Sequence, residues 1–422
     1  MIRDLASTRK AKIVCTLGPA VDDDDVLAKL ISHGMDAARL NLSFGTLEEH
    51  ARRIQQVRRL NEAMGRRPVG IIADLPGRKA RLGRLEGGRV ALETEDVVRF
   101  VPDEGQAGDA RGLPAPPALF RESLVRGDTI LLSDGVVELS VVSASRHVVE
   151  AEVVFGGRVG ERTGLHAAGL TVEGEPITPE DGPYLEMALD LGVDFLSLSW
   201  VCDDEDVLSA KEKLAERGAD IPIIAKIERP EAFARLDGIL RRSDAVMIRR
   251  GDLGAQIEVT RVPLVQKEIL RLANRSGVPV IIATQMLGSM IGSPRPSRAE
   301  ASDVSNAIAD GADGVLLSAE TSIGTYPVEA VDMMARIIQE TETERFDRSI
   351  RPPQDGSATF ADTTASIAVE AAERTGAKLI ACFTESGRTA RLVSKYRPRV
   401  PVLAFCHSGQ SRRRLALQWA FE

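Results

Sequence analysis

Short, almost unbroken apolar runs recur along this chain, and most are followed by a stretch in which apolar residues return every three or four positions. Runs apolar on both faces mark strands buried in a parallel sheet, and the segments between them mark the crossover helices. AKIVCTLG, DAARLNLS and VGIIADL form a first block, with helices predicted after Asp22 and after Leu47. DFLSLSWV, PIIAKIE, AVMIRRG, PVIIATQ and GVLLS form a second, whose last helix is YPVEAVDMMARIIQETETE. Three strands and five make the eight that close a parallel barrel, so the expected class is α/β, a (β/α)8 TIM barrel.

Between the blocks the texture changes. From Arg78 to Glu175 the pattern alternates with period two, as in RVALETEDVVRFV and TILLSDGVVELSVV, which predicts a small β-barrel lid domain inserted in a βα loop. After Arg348 comes a linker, RSIRPPQDGS, and then TTASIAVEAAERTGA as helix, KLIACF as strand, GRTARLVSKY as helix, VPVLAFC as strand and one further helix. Two strands make a thin sheet for a free-standing unit, so this partial C-terminal α/β domain is predicted to lean on the barrel or on a second subunit. The expected division is barrel 1–77 and 176–347, lid 78–175 and C-terminal domain 357–422.

A chain of 422 residues is too long for one core, which agrees with several domains. The net charge of −8 argues against a general nucleic-acid or anionic-membrane surface, while leaving room for a local basic site. No run reaches the length of a membrane span, and MIRDLASTRKAKIV carries no apolar core of a secretory signal; a cytoplasmic protein is expected. Cys15, Cys202, Cys382 and Cys406 are scattered without CxxC spacing, which suits reduced thiols and no zinc site.

The chemistry gathers at strand ends. In IIAKIERPEAF, Lys226 and Glu228 stand two residues apart and so share one face of an otherwise apolar strand. Either they neutralise each other or something else sits there. Similar residues follow the other strands: Arg39, Asn41 and Ser43 after the second, Asp74 after the third, Asp252 after the sixth, Thr284 and Gln285 after the seventh, Ser318 and Glu320 after the eighth. Any one is equally a satisfied strand terminus; together they define the C-terminal rim, where barrel enzymes place their sites. Glu228 and Asp252 are two carboxylates of the kind that hold Mg2+ with water and substrate oxygens. RRGDLG is a strand-to-helix turn whose backbone N–H groups favour an anion, and Lys226 would face a transferring phosphoryl group.

RKAKIVCTLGPA, GMDAARLNLSFG, IIAKIERPEAF, RRGDLGAQI, VIIATQMLGSM and PRPSRAEASDVSNAIADGADGVLLSAETSIGTYPVEAV closely resemble, in order, the signature segments of pyruvate kinases. The resemblance implies a barrel with a lid and a C-terminal regulatory domain that transfers phosphate from phosphoenolpyruvate to ADP in glycolysis, with Mg2+ or Mn2+. It implies that Arg39 and Arg81 contact phosphate groups, with Asn41 and Arg81 on the nucleotide side. Lys226 would stabilise the transferring phosphoryl, and Glu228 and Asp252 would hold the metal. Gly251 and Asp252 would supply backbone donors to the substrate carboxylate, and Thr284 would lie near the carbon that is protonated. A homo-oligomer, dimer or tetramer, is implied as well.

Departures from the family pattern sharpen these expectations. In DLPGRKARLG, Leu75 and Lys79 stand where cation-dependent members have threonine and glutamate, resembling the subgroup that works without potassium. The Lys79 ammonium, near Asn41, Ser43 and Asp74, would replace K+, so no K+ requirement is expected. On the nucleotide side Phe44 replaces a usual histidine, Thr163 a usual lysine, Cys202 a common arginine and Arg249 a usual alanine. Losing a lysine–phosphate contact costs about 1.5–3 kcal/mol, roughly ten- to hundredfold. A different phosphoryl acceptor, or a weakly active binding homologue, is therefore the alternative. TESGRTA, containing Thr384, Ser386, Gly387, Arg388 and Thr389, resembles the phosphate loop of the family's sugar-phosphate effector site; a lone phosphate or sulfate is expected there.

Overall fold

The computed structural model describes residues 9–421 apart from 66, 122–123, 168–169, 171–173 and 344–358. The predicted linker RSIRPPQDGS lies outside the described residues. Eight parallel strands close into a barrel: β1 (Lys12–Thr16), β2 (Met35–Asn41), β3 (Gly70–Asp74), β4 (Phe195–Leu198), β5 (Ile223–Ile227), β6 (Ala245–Arg249), β7 (Val280–Ala283) and β8 (Gly314–Leu317). Each pairs with its neighbours in sequence, and β8 returns to β1. These are the eight runs that the apolar pattern marks.

Why the rim is charged follows from the two-residue repeat. Ile13 and Cys15, Ile223 and Ala225, Val246 and Ile248 face outward into the core shared with the helices. Val14, Ala37, Ile72, Phe195, Ile224 and Met247 face inward into a second core that fills the barrel. Two residues further along the inward face of each strand stand Thr16, Arg39, Asp74, Ser197, Lys226 and Arg249. The interior thus changes from an apolar layer to a charged layer within one step of the pleat, at the C-terminal end.

Helices start where side chains meet the free N–H groups of the first turn. Thr46 and Glu49 form a capping box at Leu47–Met64, and Ser297 and Glu300 form another at Arg298–Ala309. The insert folds on its own core, including Phe100, Leu132, Leu139 and Val153. Its strands form a curled six-stranded sheet beside a two-stranded ribbon of Arg89–Leu92 and Gly157–Gly160. At its base Arg78 donates to the Gly174 carbonyl (2.6 Å) and pairs with Asp206, tying the lid's root to the barrel.

The C-terminal unit leans on the barrel. Its two parallel strands, β9 (Ile380–Thr384) and β10 (Val402–Cys406), are followed by a short helix, Gly409–Arg414, and a turn that runs under the N-terminal ends of the barrel strands. Leu417 enters the inner core beside Phe195, Ile72 and Leu316. Lys12 Nζ donates to the Phe421 carbonyl (2.7 Å), and Arg413 reaches Asp194 (2.8 Å). Among the described residues no helix is long and apolar enough to cross a membrane.

Candidate active site

The inward polar layer is one connected network. Arg39 donates to Asp74 through Nε (2.6 Å) and to Thr16 Oγ1 through Nη1 (3.0 Å). The other Asp74 oxygen accepts from Lys226 Nζ (3.1 Å), which also donates to Ser199 Oγ (2.6 Å); the Ser199 hydroxyl donates to the Leu75 carbonyl (2.7 Å). Lys226 further pairs with Glu228 Oε1 (3.3 Å). All of these groups are buried, so the charges must satisfy one another. Burial alone would raise the Asp74 carboxyl, but Lys226 and Arg39 hold it down at about 2. Burial holds the Lys226 ammonium below the usual lysine range, and Asp74 and Glu228 offset only part of that shift.

Beside this cluster stands the carboxylate pair. Glu228 Oε2 accepts from the Trp200 N–H (2.7 Å), which fixes its plane. Asp252 is fully buried, and Lys79 pairs with its Oδ1. His166 Nε2 lies 3.5 Å from the same oxygen, its ring stacked on Trp200 with centroids 5.3 Å apart, and its Nδ1 meets Gln256 (3.1 Å). Against burial, Arg249, Lys79 and His166 hold the Asp252 carboxyl far below the usual range. Arg249 Nε stands 2.9 Å from Asp252 Oδ2 and 3.5 Å from Glu228 Oε1, touching both carboxylates.

The remaining rim residues have structural partners that define their reach. Thr284 and Gln285 carry left-handed φ values of 75° and 57° at the end of β7, a costly backbone held by Arg250, which donates to the Thr284 carbonyl (2.8 Å) and pairs with Asp303 (2.7 Å). Gly251 N–H donates to Thr284 Oγ1 (3.0 Å), so the hydroxyl keeps its own proton available. Glu320 accepts from the Leu287 and Ser318 amides, which makes it a brace of the rim rather than a part of the cleft. Arg81, from the lid, donates to Ser43 Oγ (2.9 Å) and the Arg162 carbonyl (3.0 Å).

A cleft of about 170 Å³ opens between barrel and lid. Asn41, Ser43, Lys79, Arg81, Lys226, Glu228 and Arg249 line it, as do Phe44 and Thr163. The structure therefore brings Arg39, Asn41, Arg81, Lys226, Glu228, Gly251, Asp252 and Thr284 to one rim. Lys79 lines the cleft with Asn41 and Ser43, but its ammonium pairs with Asp252. Two carboxylates with oxygens turned to the same point are a donor set that fits a divalent hard cation completed by substrate oxygens and water. Among the described residues there is no group of three or more His, Cys, Asp or Glu side chains that could hold a metal ion. Thr384 ends β9, and Gly387, at φ 85°, caps the helix Arg388–Lys395; this second turn lies on the C-terminal unit, with the Glu385 carbonyl accepting from Ser411 (2.8 Å).

Sequence reasoning left out Thr16, Ser199, His166 and Trp200. Ser199 was within reach, since it lies four residues after Phe195 on the inward face of its run. His166 was not, because its place depends on how the lid packs.

A family model described as pyruvate kinase, barrel domain, matches residues 8–331, and one described as pyruvate kinase, alpha/beta domain, matches residues 362–422. A pyruvate kinase of Agrobacterium vitis is 40% identical over 418 residues, 98% of this chain and 87% of that protein. One of Mycobacterium tuberculosis is 40% identical over 415 residues, with the same two shares, and one of Thermococcus litoralis is 39% identical over 418 residues, 98% of this chain and 88% of that protein. The crystal structure of a pyruvate kinase from Cryptosporidium parvum superposes with a TM-score of 0.89 at 34% identity, covering 99% of this chain and 87% of that one.

Proposed function

The chain belongs to the pyruvate kinase family, and from that premise we propose how its own residues carry the phosphotransferase reaction. The enzyme transfers a phosphoryl group from phosphoenolpyruvate to ADP. The enol P–O bond breaks, a β-phosphate oxygen of ADP bonds to phosphorus, and the enolate takes up a proton at its methylene carbon to give pyruvate.

The observation that carries the assignment of roles is the Lys226 ammonium, buried and pinned by Ser199 and Asp74 at the floor of a cleft whose wall is Glu228 and Arg249. A fixed positive charge there meets the phosphoryl group in flight without reorganising. Arg39, on β2 and held by Asp74 and Thr16, adds a second positive charge that shares Asp74 with Lys226. Family members need Mg2+ or Mn2+; Glu228 and Asp252 would hold it, and the ion would neutralise charge on the phosphoryl and substrate oxygens. Thr284, whose hydroxyl oxygen accepts from the Gly251 N–H, would lie near the carbon of the enolate that is protonated. Lys79 pairs with Asp252 and supplies the charge that K+ brings elsewhere, so the reaction proceeds without K+.

On the acceptor side Asn41 and Arg81 contact the nucleotide, and Phe44, 62% exposed at the cleft, offers a ring face where Thr163 offers no charge. That observation favours a second reading in which another nucleoside diphosphate competes with ADP. We assign the barrel to 1–77 and 176–347, the lid to 78–175 and the C-terminal domain to 357–422, in a cytoplasmic homo-oligomer. The Thr384–Thr389 turn, with Ser386, Gly387 and Arg388, takes a single phosphate group.

The test is pyruvate formation from phosphoenolpyruvate, ADP and Mg2+ in potassium-free buffer, for wild type and Lys226→Met. Turnover lowered at least 10³-fold by the substitution is expected, with less than twofold stimulation by K+. No turnover in wild type with any nucleoside diphosphate overturns the reading, and a several-fold K+ requirement removes the role given to Lys79.

A further inference from the structure

The carboxylate pair already has a cation between its members. A single nitrogen, Arg249 Nε, lies 2.9 Å from Asp252 Oδ2 and 3.5 Å from Glu228 Oε1. Both oxygens are buried and neither accepts a hydrogen bond, so these contacts are charge pairing without hydrogen-bond alignment. The outer oxygens are engaged elsewhere: Glu228 Oε2 by the Trp200 N–H, Asp252 Oδ1 by Lys79. Glu228 Oε1 also pairs with Lys226 Nζ (3.3 Å), which Ser199 and Asp74 hold in place; the two oxygens that Arg249 touches are thus the pair through which Glu228 and Asp252 can jointly bind a small cation.

The three cations around the pair differ in freedom. Lys226 is 3% exposed and held by Ser199 and Asp74; the Lys79 side chain is 8% exposed and lies near the Trp200 ring. The Arg249 side chain is 17% exposed and lines the open cleft, and its long stem can carry the guanidinium toward solvent with a change of rotamer.

We propose that Arg249 is a displaceable internal counter-cation of the Glu228–Asp252 pair, which it neutralises until a divalent ion enters and turns its guanidinium out into the cleft. This rests on the assignment of Glu228 and Asp252 as the metal-holding residues. Its consequence is that the protein without substrate binds the metal weakly, because two favourable charge contacts are given up on entry. Phosphoenolpyruvate, whose anionic groups offer a displaced guanidinium a new partner in the cleft, makes the exchange easier. Arg249 is in this sense a residue that couples metal occupancy to substrate occupancy.

The experiment measures Mn2+ binding to the full chain by electron paramagnetic resonance of the free ion, without ADP and so without turnover, for wild type, Arg249→Met, Arg249→Lys and the double variant Arg249→Met with Glu228→Gln. Arg249→Met is expected to bind Mn2+ at least tenfold more tightly than wild type in the absence of phosphoenolpyruvate. Addition of phosphoenolpyruvate should tighten binding less in the variant than in wild type. The double variant should lose the gain, and Arg249→Lys, shorter but still charged, should fall between. Should Arg249→Met prove too unstable to titrate, Arg249→Lys against wild type carries the comparison. Equal or weaker Mn2+ binding by the Arg249 variants overturns the inference, as does a gain that survives Glu228→Gln. Failure of wild type to form pyruvate would instead strike the assigned reaction and leave these binding data to be read on their own.

Discussion

Asp74 is the residue on which the cationic floor of the cleft depends, since Arg39 takes one of its oxygens and Lys226 the other. Its carboxyl, near 3.8 in the unfolded chain, is held at about 2 in the folded protein. A depressed folded value stabilises above the unfolded one, so this contribution, about 2–3 kcal/mol, is complete near pH 7 and is lost as the pH falls from about 4 toward 2. Asp74→Asn leaves two buried cations short of a partner and is expected to cost about 3–5 kcal/mol at pH 7. Urea midpoints of the two proteins should differ by a constant amount from pH 8 to 5 and converge below pH 4; a gap that does not change with pH would refute the account. The residue scale is also where the sequence is most uneven as a guide. That Lys226, Glu228 and Asp74 belong to one site could be read from charges ending apolar runs, because a two-residue repeat fixes their face. That Lys79 pairs with Asp252 could not, since the two are far apart in the chain and meet through the way the lid returns to the barrel.

Elements hold these residues at the angles they need, and the loop after β7 illustrates how. Thr284 and Gln285 have left-handed backbones, which only surrounding bonds can maintain. Arg250 clasps their carbonyls from one side. From the other, Glu300 accepts from the Ser289 N–H (2.7 Å) and the Ser297 N–H (2.7 Å), tying the loop to the capping box of the following helix. The sequence SPRPSRAEAS announces that box, and the alternation of strand and helix announces the barrel; neither tells that one glutamate serves both cap and loop. Ser297→Ala is expected to cost about 1 kcal/mol, the ordinary worth of a cap, with kcat within twofold of wild type. Glu300→Ala is expected to cost more and to lower kcat at least fivefold with little change in KM, because it frees the loop that carries Thr284. Denaturation curves and initial rates on the two variants distinguish these outcomes, and equal effects on kcat would show that the loop does not depend on this anchor.

At the scale of the molecule, the two ends of the barrel are closed by different means. The top is a charged cleft under the lid, and the bottom is stopped by the turn around Leu417, whose side chain joins the inner core. Nothing in RRRLALQWAF distinguishes a plug from a surface helix, because the fit depends on space left beneath Phe195 and Gly70; a Cβ on Gly70 would lie 3.0 Å from Ala416 Cβ. The thinness of the two-stranded sheet did indicate that this unit needs a partner, and the barrel is that partner. Arg397 adds to the join by pairing with Asp313 (3.1 Å) while lying over the Trp419 ring. The two units should therefore unfold together. Of the two tryptophans, Trp419 is buried at this join, so Trp200→Phe leaves one fluorophore reporting on it. In that background Trp419 emission and far-ultraviolet circular dichroism should share one midpoint. Leu417→Ala should lower the unfolding free energy read from that transition by about 2–5 kcal/mol, as removal of a buried leucine does. Leu417→Asp, by placing a charge in the apolar layer, should separate the two signals, with Trp419 exposed first and helix content lost later. A single unshifted transition in Leu417→Asp would mean that the barrel closes without the plug.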